Sequence, residues 1–284
     1  MMVFFQLFLS LIFISLNVYT LPSEIELGPL VCSKVEGLRE VYRKGNPYYI
    51  WRGVENYDRK FRKAKDRFYP SNILDHIPDK AVVVDVGAGV ANALMDLLKA
   101  KSSRIEKAVA ISANKPSTIA NNHGSLAEDS RFSYHKGFIE DFSSDELGEM
   151  GVLGESDLIF DIMGALQYSH DITSVLNQYG RMLKVGGLLY TSFVALNARH
   201  IGSKNRKGKV TAFLDRNGAE ISALEFFQRI EGVEVVHSEE VVVQNVEHDI
   251  SFILRKTGDI IVPKLKLVSI IENIPPHRTF QIVE

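Results

Sequence analysis

The stretch Val82–Leu94, VVVDVGAGVANAL, holds the residues most suited to chemistry: Asp85, then Gly87 and Gly89, then Ala91 opening a helical pattern. Glycines at such a bend let backbone approach a ligand where a side chain would collide, and a helix start presents N–H groups that lack intrahelical partners. A small polar ligand belongs there, and a side chain added at Gly87 is expected to remove binding while sparing the fold. In open parallel sheets ligands lie beyond the carboxyl ends of the strands. One site should therefore also draw on Ser112 to Asn114, Gly137 to Asp141 and Asp161 to Ala165. Just past the last of these, in Gln167-Tyr168-Ser169-His170-Asp171, His170 is the candidate general base, since an ordinary imidazole pKa of about 6.5 suits proton removal near neutrality. Tyr168 beside it could shape a pocket. The alternative for His170 is a helix-start residue with Asp171 as N-cap.

The elements that must carry these residues alternate. Ala81–Val86 is a continuous apolar run ended by glycine, the pattern of a strand buried on both faces. Further strands are expected over Lys107–Ser112, Phe132–Lys136, Asp157–Met163 and Leu188–Val194, with helices over Ala91–Lys99, Pro116–Asn122 and Ile172–Leu183. This rhythm calls for a parallel sheet covered by helices on both sides. After residue 194 it changes: Arg199–Lys209 reads as an exposed loop, Ala219–Ile230 as a helix, and Val233–Val243 and Asp249–Arg255 as two strands. The second of these should be antiparallel, because the connection is too short for a crossover helix. Residues 258–284 alternate apolar and polar types weakly and receive no assignment.

These motifs resemble the class I S-adenosylmethionine-dependent methyltransferases over roughly residues 70–256. DVGAGVA is similar to that family's acidic-x-Gly-x-Gly-x-Gly/Ala loop, HKGFIEDF to the segment after its third strand, SDLIFDIMGALQYSHD to its fourth strand and following loop, and GRMLKVGGLLYTSF to the turn before its fifth strand. The resemblance implies a Rossmann-like three-layer α/β/α sandwich with a mostly parallel seven-stranded sheet, its last strand antiparallel, and an N-terminal helical extension. It implies S-adenosyl-L-methionine as cofactor. Asp85, Gly87, Ala88, Gly89 and Ala91 would border the methionine half, Ser112 and Asn114 the ribose, Phe138 and Ile139 the adenine, and Asp161 and Met163 the transferring methyl. Two positions depart from the family pattern. Ser112 stands where an acidic residue usually accepts the ribose hydroxyls, and a neutral acceptor bonds less strongly than a carboxylate. Phe138 stands where many members carry Asp, and can offer only apolar or stacking contact. The family's Asn/Asp-Pro-Pro-Tyr/Phe tetrapeptide is absent, which favours a small-molecule acceptor. The second functional reading is a catalytically inactive interaction protein on the same scaffold, secreted or membrane-tethered. A dinucleotide site is disfavoured, since Asn92 stands at its third glycine position and its acidic residue is missing.

Composition bounds the partners. With 33 Lys+Arg against 35 Asp+Glu, a formal charge of −2 and a pI near 6.5, bulk charge predicts no nucleic-acid partner. Cys32 is the single cysteine, and the eight histidines show no metal-ligand spacing, so neither a disulfide scaffold nor a metal site is expected. Residues 3–21 form an uncharged apolar run that reads as a signal peptide or an uncleaved membrane anchor within a segment 1–22. The expected localisation is secreted or membrane-anchored; if anchored, the following Lys and Arg residues would keep the remaining chain cytoplasmic. A helical cap over 34–76, a methyltransferase-like domain over 77–257 and a C-terminal extension over 258–284 complete the expected organisation.

Overall fold

The computed structural model describes residues 77–101, 103–113, 124, 128–196, 211–243, 247–271 and 277–284. The segment 1–22, the cap over 34–76, the helix over Pro116–Asn122, Asn114 and the basic loop lie outside them wholly or in large part. The expected secreted or membrane-anchored localisation is not supported: among the described residues, which do not include the apolar run 3–21, no helix is long and apolar enough to cross a membrane.

The first sheet is assembled from β1 (Ala81–Val86), β2 (Ile105–Ser112), β3 (Phe132–Lys136), β4 (Ser156–Ile162), β5 (Leu183–Leu196), β8 (Glu231–Val243) and β9 (Glu247–Ile261). Its order is β3-β2-β1-β4-β5-β9-β8. β1 pairs parallel with β2 and β4, β2 with β3, and β4 with β5, whereas β9 is antiparallel to both β5 and β8. This is the mostly parallel seven-stranded sheet with its last strand reversed that the resemblance implies. The reversal between β1 and β2 on one side and β4 on the other opens a crevice at the carboxyl edge, above β1.

Burial on both faces explains the unbroken apolar runs. Val84 and Val86 of β1 join one hydrophobic cluster, while Ala81 and Val83 join the other. On the second face, helix α1 (Asn92–Ala100) buries Ala93, Leu94, Met95, Leu97 and Leu98 against Phe160, Tyr190 and Ile253. On the first face lie α2 (Ser144–Glu149), a one-turn α3 (Ala165–Tyr168), α4 (Ile172–Met182) and α5 (Ala223–Gln228).

That first face also carries a second, four-stranded sheet in the order β10-β11-β6-β7, from β6 (Thr211–Leu214), β7 (Glu220–Ile221), β10 (Leu265–Ile271) and β11 (His277–Ile282). Residues without an expected structure, 258–284, thus extend β9 and then supply two strands. The expected helix over Ala219–Ile230 is split: β7 comes first, then Ser222 caps a shorter α5 in a capping box with Glu225. An aromatic row joins the two sheets, reaching Phe252 of β9 through Phe227 of α5, 4.6 Å between ring centres. Phe213 of β6 stacks on Phe226 of α5 at 4.3 Å between ring centres, and Phe280 of β11 lies 6.1 Å from Phe213. Such pairs add about 0.5–1.5 kcal/mol each beyond their buried area.

Candidate functional site

At the carboxyl end of β1 the chain bends sharply, with Gly87 at φ +75, Gly89 at +58 and Ala91 at +60. Gly87 and Ala88 donate their N–H groups to the Ile111 carbonyl at 2.9 and 3.3 Å, tying the bend to the end of β2. Ala91 is fully buried in a left-handed conformation that costs an L-residue about 1–2 kcal/mol, and no side chain caps the helix start that follows it. Met163, past β4, is also left-handed, at φ +53, and its N–H donates to the Ser192 carbonyl at 2.6 Å. Among the described residues, two of the three non-glycine residues with positive φ therefore sit at neighbouring strand tips. Backbone strain of this kind collects where a structure is shaped for a ligand.

Gly87 has a second role that its sequence context does not reveal. A Cβ there would lie 2.5 Å from Gly164 Cα, and a Cβ on Gly164 would collide with the Val86 carbonyl and Asp161 Oδ1. The bend after β1 and the loop after β4 cross backbone on backbone through this glycine pair. The expectation that a side chain at Gly87 spares the fold is accordingly corrected: it would disrupt the crossing itself.

Asp85 and Asp161 are 1% and 0% exposed. Asp161 Oδ2 accepts from the Leu166 N–H at 2.9 Å and from the Tyr179 hydroxyl at 2.7 Å. Burial pushes its carboxyl up to about 6, while the Tyr179 and backbone hydrogen bonds oppose that rise. The Tyr179 hydroxyl is itself raised well above its ordinary value, first by burial and then by the charges of Asp161, Glu140 and Asp85. Of the three, Asp161 bonds the phenol directly, while Glu140 after β3 and Asp85 of β1 act on it through their charge. Ser169 Oγ donates to Glu140 Oε1 at 3.0 Å and closes the gap between the loops after β3 and β4.

Ser112, 5% exposed, ends β2, and its carbonyl accepts the Gly137 N–H at 3.0 Å. Beside it opens a cleft of about 430 Å³ lined by Ala113, Lys136, Gly137, Phe138, Asp141, Phe142 and Glu146. Its walls are specifically built. Gly137 lacks a Cβ that would meet the Phe142 ring at 2.7 Å, and Gln178 Nε2 of α4 donates to the Phe142 carbonyl at 2.6 Å. α2 brings Glu146 to the rim through a capping box in which Ser143 N–H and Oγ donate to Glu146 Oε2 at 2.7 and 2.8 Å. A cleft of this size is in the range of small-molecule sites.

Of the residues singled out in the sequence, Phe138 lines the cleft and Ser112 sits at its edge. The bend Gly87–Ala91 lies at the next strand tip. Ile139 belongs elsewhere: its side chain is 1% exposed within the hydrophobic cluster, leaving only its backbone for a ligand. Asp161 faces Leu166 and Tyr179, holding the turn that leads to Tyr168 and His170, which are both half-buried. Asp171 caps α4 through the Ser174 N–H at 2.9 Å, in line with the alternative reading of its neighbourhood. The sequence reading missed Lys136, Phe142, Glu146 and Tyr179, and it took Gly164 within the tip Asp161–Ala165 without its role at the crossing. Ser143-x-x-Glu146 is a capping-box pattern that would have placed α2; nothing local announces the others, whose roles arise from contacts across the fold.

No family model and no curated protein matches the chain. Among solved structures, it is similar to a 1,6-didemethyltoxoflavin-N1-methyltransferase from Burkholderia thailandensis with bound S-adenosylhomocysteine, at 16% identity and a TM-score of 0.49 over 83% of this chain and 93% of that one. A geranyl diphosphate methyltransferase in complex with its cofactor gives 13% and 0.44 over 65% and 82%. A 16S rRNA adenine-N1-methyltransferase from Catenulisporales acidiphilia gives 14% and 0.44 over 63% and 87%. At these values the likenesses assign no chemistry to the chain, because one fold hosts many functions.

Proposed function

We propose that this protein transfers a methyl group from S-adenosyl-L-methionine to a small-molecule acceptor. The observation that carries the reading is the run of left-handed residues Gly87, Gly89 and Ala91, which opens onto the uncapped start of α1 one strand from the cleft. The donor set fits the cofactor's chemistry. Phe138 and Phe142 line the cleft where a base could pack, the bend offers backbone to a carboxylate, and the negative charges of Asp85 and Glu140 near these strand tips favour a cation there.

When bound, the cofactor supplies an electrophilic methyl carbon on a sulfonium sulfur. The chain's task is then alignment of the acceptor in line with the carbon–sulfur bond, since proximity alone can supply up to about 7–11 kcal/mol. In this reading Asp85, Gly87, Ala88, Gly89 and Ala91 border the methionine half, Ser112 and Asn114 the ribose, and Phe138 with the Ile139 backbone the adenine. Met163 faces the reaction centre, while Asp161 holds the turn from within. Tyr168 walls the acceptor pocket, and His170 takes the proton of an acceptor that arrives protonated. The near-neutral charge of the chain supports a small acceptor over a polyanion. The reading as an inactive interaction protein has no observation of its own among the described residues.

Titration calorimetry of the chain with S-adenosylmethionine and S-adenosylhomocysteine tests the proposal. Saturable one-to-one binding is expected, and absence of heat from folded protein at millimolar ligand would remove it.

A further inference from the structure

We propose that Arg278, on the C-terminal strand β11, is a positioning residue for the candidate site and fixes the turn that presents Tyr168 and His170. Arg278 is 1% exposed. Its Nη1 donates to the Ser169 carbonyl, and its Nη2 to the Leu166 carbonyl at 2.9 Å and to Thr211 Oγ1 at 3.1 Å. The guanidinium carbon lies 5.3 Å from the centre of the Phe280 ring. More than a hundred residues of chain separate the guanidinium from the carbonyls it holds.

The turn needs such support. α3 has four residues, and a single helical turn does not sustain itself in water. Its two ends are held by opposite buried charges. Asp161 accepts the Leu166 N–H, and Arg278 donates to the Leu166 and Ser169 carbonyls. An anion toward the amide end and a cation toward the carbonyl end is the arrangement that the dipole of a helical turn favours. Burying a guanidinium is costly, and here it is offset by acceptors from two separate segments, the turn and β6. The planar fork can reach two carbonyls at fixed spacing at once, which an ammonium cannot reproduce. A second link runs in parallel: Thr173 Oγ1 donates to the Pro263 carbonyl at 3.3 Å and accepts the Leu265 N–H at 3.1 Å. The C-terminal sheet is thereby fastened to the acceptor side of the candidate site, which gives residues 258–284 a role.

This inference rests on the methyltransferase reading only for the purpose of the turn. The test is therefore run on the full-length chain without ligand, and calorimetry of the wild type with S-adenosylhomocysteine decides the cofactor question separately. Arg278→Lys and Arg278→Met are compared with wild type by residue-resolved amide exchange and by the ring resonances of His170. In Arg278→Lys the amides of Leu166 to His170 should lose protection by about tenfold or more, the factor that one charge-assisted hydrogen bond supports. The His170 resonances should move, while β1, β2 and β4 keep their protection; Arg278→Met should exceed it in both. Unchanged exchange at Leu166–His170 in Arg278→Lys would overturn the proposal. So would exchange that rises uniformly across the sheet, or failure of Arg278→Lys to fold, since either would make Arg278 a general stabiliser of the core.

Discussion

Gly87→Ala separates the packing role of the bend from its role toward a ligand. Gly87 sits at φ +75, where an L-residue incurs about 1–2 kcal/mol. The added Cβ would also stand 2.5 Å from Gly164 Cα, a backbone atom that cannot swing aside. Overpacking of this kind costs about 1–3 kcal/mol, so the combined loss is about 2–5 kcal/mol, a large part of the 5–15 kcal/mol typical of a folded domain. Urea denaturation without ligand should show a lower midpoint at an unchanged slope. Gly164→Ala meets the same crossing from the other side, so the double variant should lose clearly less than the sum of the single ones. A loss below about 1 kcal/mol for Gly87→Ala would refute the crossing as the reason for glycine.

Asp161 should leave a signature in pH. Its folded-state carboxyl, at about 6, lies above its ordinary value of 3.8, so the folded chain holds more protons than the unfolded one between those values. The stabilisation is full below pH 4 and is lost as pH rises toward 6, by about 3 kcal/mol in all. Asp161→Asn should flatten that segment of the stability profile measured by denaturation at each pH, and an unaltered slope would assign the effect elsewhere. Phe138→Ala should weaken S-adenosylhomocysteine binding about tenfold or more in calorimetry, since base stacking on an aromatic ring contributes about 1–3 kcal/mol. Its thermal stability should change little because the ring is half-buried. Ser143→Ala removes the cap of α2 and should cost about 1 kcal/mol in urea denaturation, with a smaller change arguing that Glu146 keeps its place without it.

Much of the central sheet was legible because strands buried on both faces must be apolar throughout and must end where glycine turns the chain. Ala81–Val86 carries those signals within itself, whereas Phe132–Lys136, a half-buried edge strand, carries only the glycine that ends it. β9 was expected to stop at Arg255 yet runs to Ile261, because its far end is set by pairing Ile261 with Glu231, a contact no local pattern encodes. The four-stranded sheet was illegible for a similar reason: β11 is ordered by parallel pairing with β6, far away in sequence, and by burial of Arg278, a residue type ordinarily read as surface. At the site, glycine and acidic types marked the strand tips. They could not reveal that Gly87 serves a backbone crossing, or that Asp161 turns inward to Leu166 and Tyr179. The apolar run at residues 3–21 could not decide localisation, since hydropathy reports only the wish to leave water and not the structure that satisfies it.

The most direct measurement is a crystal structure of the chain grown with S-adenosylhomocysteine. The expected density places the base in the cleft against Phe138 and Phe142, the ribose by Ser112, and the amino-acid end over the bend from Gly87 to Ala91. A ligand bound away from these strand tips, or a cleft that stays empty at saturating ligand, would contradict the methyltransferase reading and leave only the architecture.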